Sequence, residues 1–173
     1  WDGTTPAFAE QTSAAALDTI DAQGTRISAV DFNGDGHTDL VLRRAANRGD
    51  DFSDGGTRGV WLLANNGQGG FEDVTQSSGF VQMRSPAQDK GRPVESVAWA
   101  DIDNDGDLDA VTTTFEASPD RVTEEDTEIV LNDGDGSFSL IDLAKNPLRR
   151  DGASNRGGLA FTDFDLDGDV DLW

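Results

Sequence analysis

Three acidic segments of equal length align without a gap, and they constrain this chain more than any other feature. They are Asp31-Phe-Asn-Gly-Asp-Gly-His-Thr-Asp39, Asp101-Ile-Asp-Asn-Asp-Gly-Asp-Leu-Asp109 and Asp163-Phe-Asp-Leu-Asp-Gly-Asp-Val-Asp171. Their starts lie 70 and 62 residues apart. A short apolar run precedes each (ISAV, SVAWA, GLAFT) and another follows (LVL, AVTTTF, LW). Repetition at such a period implies similar supersecondary units that bury their faces against one another.

A second element recurs between the acidic segments. Asn65-Asn-Gly-Gln-Gly-Gly-Phe71 matches Asn132-Asp-Gly-Asp-Gly-Ser-Phe138, and each follows a strand-like run (VWLLA, EIVL). Both are glycine-rich turns of the kind that reverse a β-strand. After them come FEDVTQSSGF and FSLIDLAKNPL; the N-terminus carries the same piece from Phe8 to Leu17, led in by Asp2-Gly3. One unit therefore reads strand, acidic loop, strand, variable loop, strand, glycine turn, strand. Four short antiparallel strands in roughly 65 residues have the size and make-up of a propeller blade.

The expected fold class is all-β, a single repeat region over 1–173. It divides into a partial blade at 1–20, blades at 24–80 and 94–143, and a partial blade at 157–173. No segment has convincing helical periodicity, although Thr12 to Ile20 has room for one or two turns. The stretches Ala45–Gly59 and Ala117–Glu125 are polar and patternless and read as surface excursions. A closed propeller needs at least four blades, roughly 260 residues, so further sequence or other chains would supply the rest. Trp1 stands where an initiator Met would, which reads as a processed chain or an excerpt. Both ends fall inside a blade, which raises the expectation of head-to-tail pairing between copies into a ring or filament.

Charge narrows the partners. The chain has 34 acidic and 13 basic residues, a net charge of -21. Nucleic acid and anionic membrane surfaces need positive patches and are excluded as partners; cations are favoured. Cys is absent, so disulfides, thiol chemistry and zinc-thiolate sites are excluded. No apolar run approaches the ~18 residues of a membrane span, and no segment has the make-up of a signal peptide.

The acidic segments follow D-x-[DN]-x-D-G-x-x-D. Oxygen ligands at positions 1, 3 and 5, a glycine at 6 for the sharp turn and a carbonyl at 7 are how a short loop wraps a hard cation. Position 9 adds a carboxylate. The candidate ligands are Asp31, Asn33, Asp35, the His37 carbonyl and Asp39 in the first loop. In the second they are Asp101, Asp103, Asp105, the Asp107 carbonyl and Asp109. In the third they are Asp163, Asp165, Asp167, the Asp169 carbonyl and Asp171. Clustered carboxylates without Cys or ligand-spaced His favour Ca²⁺ over transition metals. Mg²⁺ prefers to keep several waters, so a dedicated cage favours Ca²⁺, at about three sites. Four converging carboxylates repel strongly unless a divalent ion sits among them. An EF-hand needs Glu at position 12 and flanking helices. Position 12 is Leu42 or Thr112 and the flanks read as strands, so that motif is rejected.

The strings DFNGDGHTDLVL, DIDNDGDLDAVT, LNDGDGSF and NNGQGGFEDVTQSSGF resemble the FG-GAP/VCBS repeat. That repeat builds the calcium-binding β-propeller of integrin α subunits and of many bacterial extracellular proteins. The resemblance covers nearly the whole chain and implies that the Asp and Asn residues at positions 1, 3, 5 and 9 bind calcium. The family is typically seven-bladed, and this chain departs from it in having fewer blades.

The remaining chemistry is sparse. His37 is the only His and sits at loop position 7, which with the absence of Cys excludes nucleophile–His sites. Arg48-Gly49-Asp50 is an RGD tripeptide in an expected exposed loop, and a tripeptide is too short to carry a function by itself. Phe32, Trp99, Phe161 and Phe164 sit at strand ends or loop position 2; with Trp61 they are expected to pack between blades rather than form a carbohydrate platform. Arg43, Arg44, Arg149, Arg150 and Arg156 are expected as surface counter-charges.

The function expected is a calcium-stabilised, extracellular β-propeller module, secreted or on the cell surface. It would act as a non-catalytic scaffold for binding or adhesion to a protein or carbohydrate ligand, with self-assembly among copies. Extracellular calcium modules work at about 10⁻⁴–10⁻³ M, saturated outside cells and empty inside. The alternatives are the propeller portion of a secreted polysaccharide-active enzyme, which would need a catalytic cluster outside the loops, and a structural fibre protein.

Overall fold

The apolar runs flanking the acidic loops pair as antiparallel strands, as their β-branched and aromatic content favours. A computed structural model describes residues 10–20, 26–43, 60–84, 92, 94–113, 127–148 and 158–173. The first sheet runs β1 (Arg26–Val30), β2 (Asp39–Arg43), β3 (Val60–Asn65), β4 (Phe71–Asp73) in sequence order. The second repeats it with β5 (Ser96–Ala100), β6 (Asp109–Thr113), β7 (Glu128–Asn132) and β8 (Phe138–Leu140). A hairpin of β9 (Phe161–Thr162) and β10 (Asp171–Leu172) follows. The fold is thus all-β and antiparallel, as expected from the alternation of strands and turns. Short 3-10 turns at Leu17–Thr19 and Leu143–Lys145 are the helical segments among the described residues.

Register places the loops. Val30 pairs with Asp39, Ala100 with Asp109 and Thr162 with Asp171. Each acidic loop is therefore the connection of a hairpin, with its first residue just after one strand and its ninth opening the next. The glycine turns close the β3–β4 and β7–β8 hairpins at the same end of their sheets, where Asn65 pairs with Phe71 and Asn132 with Phe138.

The core lies between the two four-stranded sheets. Phe32, Val41, Val60 and Leu62 from the first unit meet Val94, Ala110, Val130 and Phe138 from the second, with Phe80 and Val81 from the connection. Four aromatic rings knit it. Phe80 stacks on Trp99 at 5.7 Å and meets Phe138 edge-on at 5.3 Å; Phe32 lies 5.9 Å from Phe138 and 6.5 Å from Trp99. Neither sheet alone could bury these rings, so the two fold as one body.

Backbone bonds at the sheet junctions also repeat. The Phe138 amide donates to the Ser78 carbonyl at 2.7 Å, and the Phe71 amide donates to the Ala15 carbonyl at 3.0 Å. Ser78 and Ala15 each stand seven residues after the phenylalanine of their own segment, Phe71 and Phe8. The N-terminal piece thus occupies the place against the first sheet that 71–78 occupies against the second. Its own expected strand, at Phe8, lies outside the described residues.

Two expectations are corrected. Arg43 is buried rather than a surface counter-charge: its guanidinium donates to the Glu95 carbonyl at 2.6 Å, tying the two sheets at the end opposite the acidic loops. Phe164 is 65% exposed and packs edge-to-face on Trp173 at 5.2 Å; the hairpin meets the second sheet through β9 on β5, while Phe164 lies in the loop beyond that strand. Their steep 68° interplanar angle offers no shared flat face for a sugar ring. Phe161 and Trp61 are half-buried. Arg44, the RGD at 48–50, Arg149, Arg150 and Arg156 lie outside the described residues.

Candidate metal centres

The three acidic loops share one hydrogen-bond scheme, set by short side chains that bond their own backbone. The position 1 carboxylate accepts the amide of the glycine at position 6: Asp31 from Gly36 at 2.9 Å, Asp101 from Gly106 at 3.1 Å, Asp163 from Gly168 at 3.1 Å. The position 5 carboxylate accepts the amide at position 7: Asp35 from His37, Asp105 from Asp107, Asp167 from Asp169, at 2.8, 3.0 and 3.0 Å. This curl needs positive φ at position 6, where Gly36, Gly106 and Gly168 have 84°, 100° and 98°. Position 4 is left-handed too, at Gly34, Asn104 and Leu166.

Position 9 does more than face the loop. Asp39 accepts from the Phe32 amide at 3.1 Å and, with its other oxygen, from the Asn65 amide at 2.7 Å. Asp109 repeats this with Ile102 at 2.9 Å and Asn132 at 2.8 Å. Asp171 accepts from Phe164 at 3.0 Å. Asp39 and Asp109 are fully buried, and each stitches its loop to the neighbouring strand and glycine turn.

The scheme turns carboxylates toward one another. Oxygens of Asp101, Asp103 and Asp109 lie within 4.8 Å of each other, as do those of Asp163, Asp165 and Asp171. Asp105 and Asp167, also expected ligands, stand outside these triads. In the first loop the amide of Asp35 bonds Asn33 at 3.2 Å instead of Asp31. In the other two loops that amide reaches position 1 at 3.1 Å. Asp31 Oδ1 is thereby buried with no hydrogen-bond partner. A buried anionic oxygen with no donor is costly unless a cation meets it. The donor set, all oxygen and densely anionic, suits a hard divalent ion.

Electrostatics agree. The Asp39 carboxyl is held above the usual carboxylate range, first by burial and further by Asp35 and Asp31, although the Asn65 and Phe32 amides oppose this. Asp103 is raised as well, by local desolvation first and then by Asp109 and Asp105. Both shifts come from desolvation first and from neighbouring carboxylates second.

At position 7 the expected role was the carbonyl, and the side chains lie elsewhere. The His37 ring covers Gly67, where an added Cβ would be 2.5 Å from Nε2. Asp107 covers Gly134 in the second unit, at 2.3 Å from such a Cβ. Asp169 is exposed.

Asn65 and Asn132 hold the candidate site together, a part that sequence reasoning did not give them. The Asn65 amide group donates to the Thr38 carbonyl at 2.9 Å, and that of Asn132 to the Leu108 carbonyl at 3.0 Å. Each pins the glycine turn to loop position 8 of its own unit. The signal was present: Asn opens both turns at the same offset from the phenylalanine.

Residues 31–112 match the family model for the FG-GAP-like repeat. The match runs from the first acidic loop into β6 and contains the first and second loops whole. No curated protein matches the chain.

Proposed function

From the FG-GAP-like repeat that residues 31–112 form, we propose that this chain is a calcium-stabilised, β-propeller-type module. It works outside the cell as a non-catalytic scaffold that presents a binding or adhesive surface to a protein or carbohydrate partner. The observation that carries the calcium reading is the shared scheme of the three loops, which gathers carboxylate oxygens to within 4.8 Å in two of them. In the first loop it leaves Asp31 Oδ1 buried without a donor.

The carboxylates at positions 1, 3 and 9 would hold the ion, with Asn33 serving at position 3 of the first loop, and positions 5 and 7 completing the wrap. The ion supplies the positive charge that makes this density of anions stable. The chain's own contribution is rigidity. Asp39 and Asp109 join loop, strand and turn, so a loop held closed holds two hairpins in register. No helix among the described residues is long and apolar enough to cross a membrane. An extracellular location follows from the calcium supply there. Further blades, from the same polypeptide or another copy, would join through the bond seen twice, a phenylalanine amide on the carbonyl seven residues past the preceding phenylalanine.

The test is thermal unfolding with sedimentation in millimolar calcium and then in chelator. Ligand bound to the folded state alone raises stability by mass action. The expected outcome is a melting temperature many degrees higher in calcium, with magnesium far less effective. Equal melting in both would end the calcium reading.

A further inference from the structure

The glycine turn of the second unit does not serve its own loop alone. The Asn132 side-chain amide bonds the Leu108 carbonyl of its own loop and also the Phe32 carbonyl of the first loop, at 2.6 Å. Gly136 in the same turn lies against that loop too. A Cβ there would sit 3.1 Å from both the Asn33 Cβ and the Phe32 ring. Gly134 faces Gly34 across the same seam, its carbonyl 3.9 Å from where a Gly34 Cβ would be. The first loop is thus braced on one side by its own turn, through Asn65, and on the other by its neighbour's.

We infer that Asn132 and Gly136 are positioning residues for the first cation loop, so that metal affinity in one blade depends on the docking of the next. The inference rests on the calcium reading above. Residues that orient metal ligands without touching the ion typically alter affinity 10–100-fold. Here the oriented residues are Phe32 and Asn33, at positions 2 and 3. Coupling of this kind is reciprocal: what tightens the ion in the first loop also tightens the sheet–sheet seam. Calcium then acts on the junction between blades as well as within a blade.

The chain contains its own matched control. Gly69 is the counterpart of Gly136 in the first turn, with φ of 88° against 83°, yet nothing lies within 4 Å of a Cβ built on it. Gly69→Ala and Gly136→Ala therefore carry the same backbone strain, and only the second presses on an acidic loop.

The experiment is a calcium titration of the full chain followed by amide resonances of Gly36, Gly106 and Gly168, one reporter at position 6 of each loop. In Gly136→Ala the Gly36 midpoint should move to roughly tenfold higher calcium, with Gly106 and Gly168 less affected. In Gly69→Ala all three should stay within about twofold of wild type. Asn132→Ala is the second variant if Gly136→Ala does not fold; it should move Gly36 together with Gly106, because Asn132 bonds both loops. A Gly36 midpoint unmoved in whichever variant folds overturns the inference and leaves the calcium reading intact. If no reporter responds to calcium in the wild-type chain, both fall together.

Discussion

Asp103 and Asp109 belong to the same carboxylate triad, yet replacing each with Asn should have opposite effects once calcium is removed. Asp109 is fully buried, and its two oxygens accept the Ile102 amide at 2.9 Å and the Asn132 amide at 2.8 Å. Asn at that position keeps one acceptor and turns an NH₂ toward the other amide. One hydrogen bond to a charged group is lost, worth about 1.5–3 kcal/mol, and a buried donor is left unsatisfied. The expected loss is about 3 kcal/mol in chelator, or roughly 6–12 °C for a chain of this size. Asp103 is exposed, and its raised carboxyl reflects desolvation and its neighbours Asp109 and Asp105. Asp103→Asn removes a repelled charge, so in chelator it should leave the melting temperature unchanged or slightly higher. In millimolar calcium both variants should show a smaller gain from the ion than wild type. Calorimetry of the three proteins in the two buffers decides it. Equal behaviour of the two variants in chelator would refute the division of position 9 into a structural role and position 3 into a purely ligating one.

Acidity should act with opposite sign in the two metal states. The Asp39 and Asp103 carboxyls are raised, so the folded chain holds protons at pH values where the unfolded chain has released them. The associated stability is fully present below the ordinary carboxylate value near 4 and is lost as pH rises through the raised values. In chelator the urea midpoint should therefore rise as pH falls toward the ordinary carboxylate value, and in calcium it should fall, because protons displace the ion; an apo midpoint that falls contradicts the first part. Phe138→Ala should cost about 3–5 kcal/mol, because Phe138 meets Phe80, Phe32 and Trp99 between the sheets. Near-ultraviolet dichroism of Trp99 should weaken in parallel, and a loss under ~1 kcal/mol would mean the two sheets do not share one core. Glu128→Gln should cost about 3–5 kcal/mol in denaturant unfolding, because buried Glu128 takes a two-pronged bond from Arg84 at 2.7 Å and another from Asn146 at 2.9 Å; a near-neutral result would show that the pair is replaceable.

Much of this was legible from local pattern. The acidic loops announce themselves because a tight cation-type curl requires glycine at position 6 and short oxygen-bearing side chains at fixed offsets. Gly36, Gly106 and Gly168 all have the expected positive φ. The strands on either side followed from apolar runs bounded by turn residues, and antiparallel pairing from loops too short for anything else. Arg43 shows where this stops. An arginine at a strand end is normally a solvated charge, and its burial here goes with a bond to the carbonyl of Glu95, 52 residues away, which no local pattern announces. Arg92 is the same lesson in stronger form, fully buried with its guanidinium on the Phe80 carbonyl at 3.1 Å and on Thr112.

By itself the sequence determined what is periodic and local: an all-β chain of repeated hairpins, acidic loops at their tips and the residue types able to hold a hard cation. Those properties depend on separations of a few residues, where backbone sterics and side-chain reach leave little choice. Tertiary structure alone decided which repeats touch and through which atoms. The Asn132 bond to Phe32 spans 100 residues, and the opposite environments of Gly69 and Gly136 exist only because one sheet packs on the next. Such contacts depend on the angle and distance between sheets, which the packing of Phe32, Phe80, Trp99 and Phe138 sets together and no single repeat encodes.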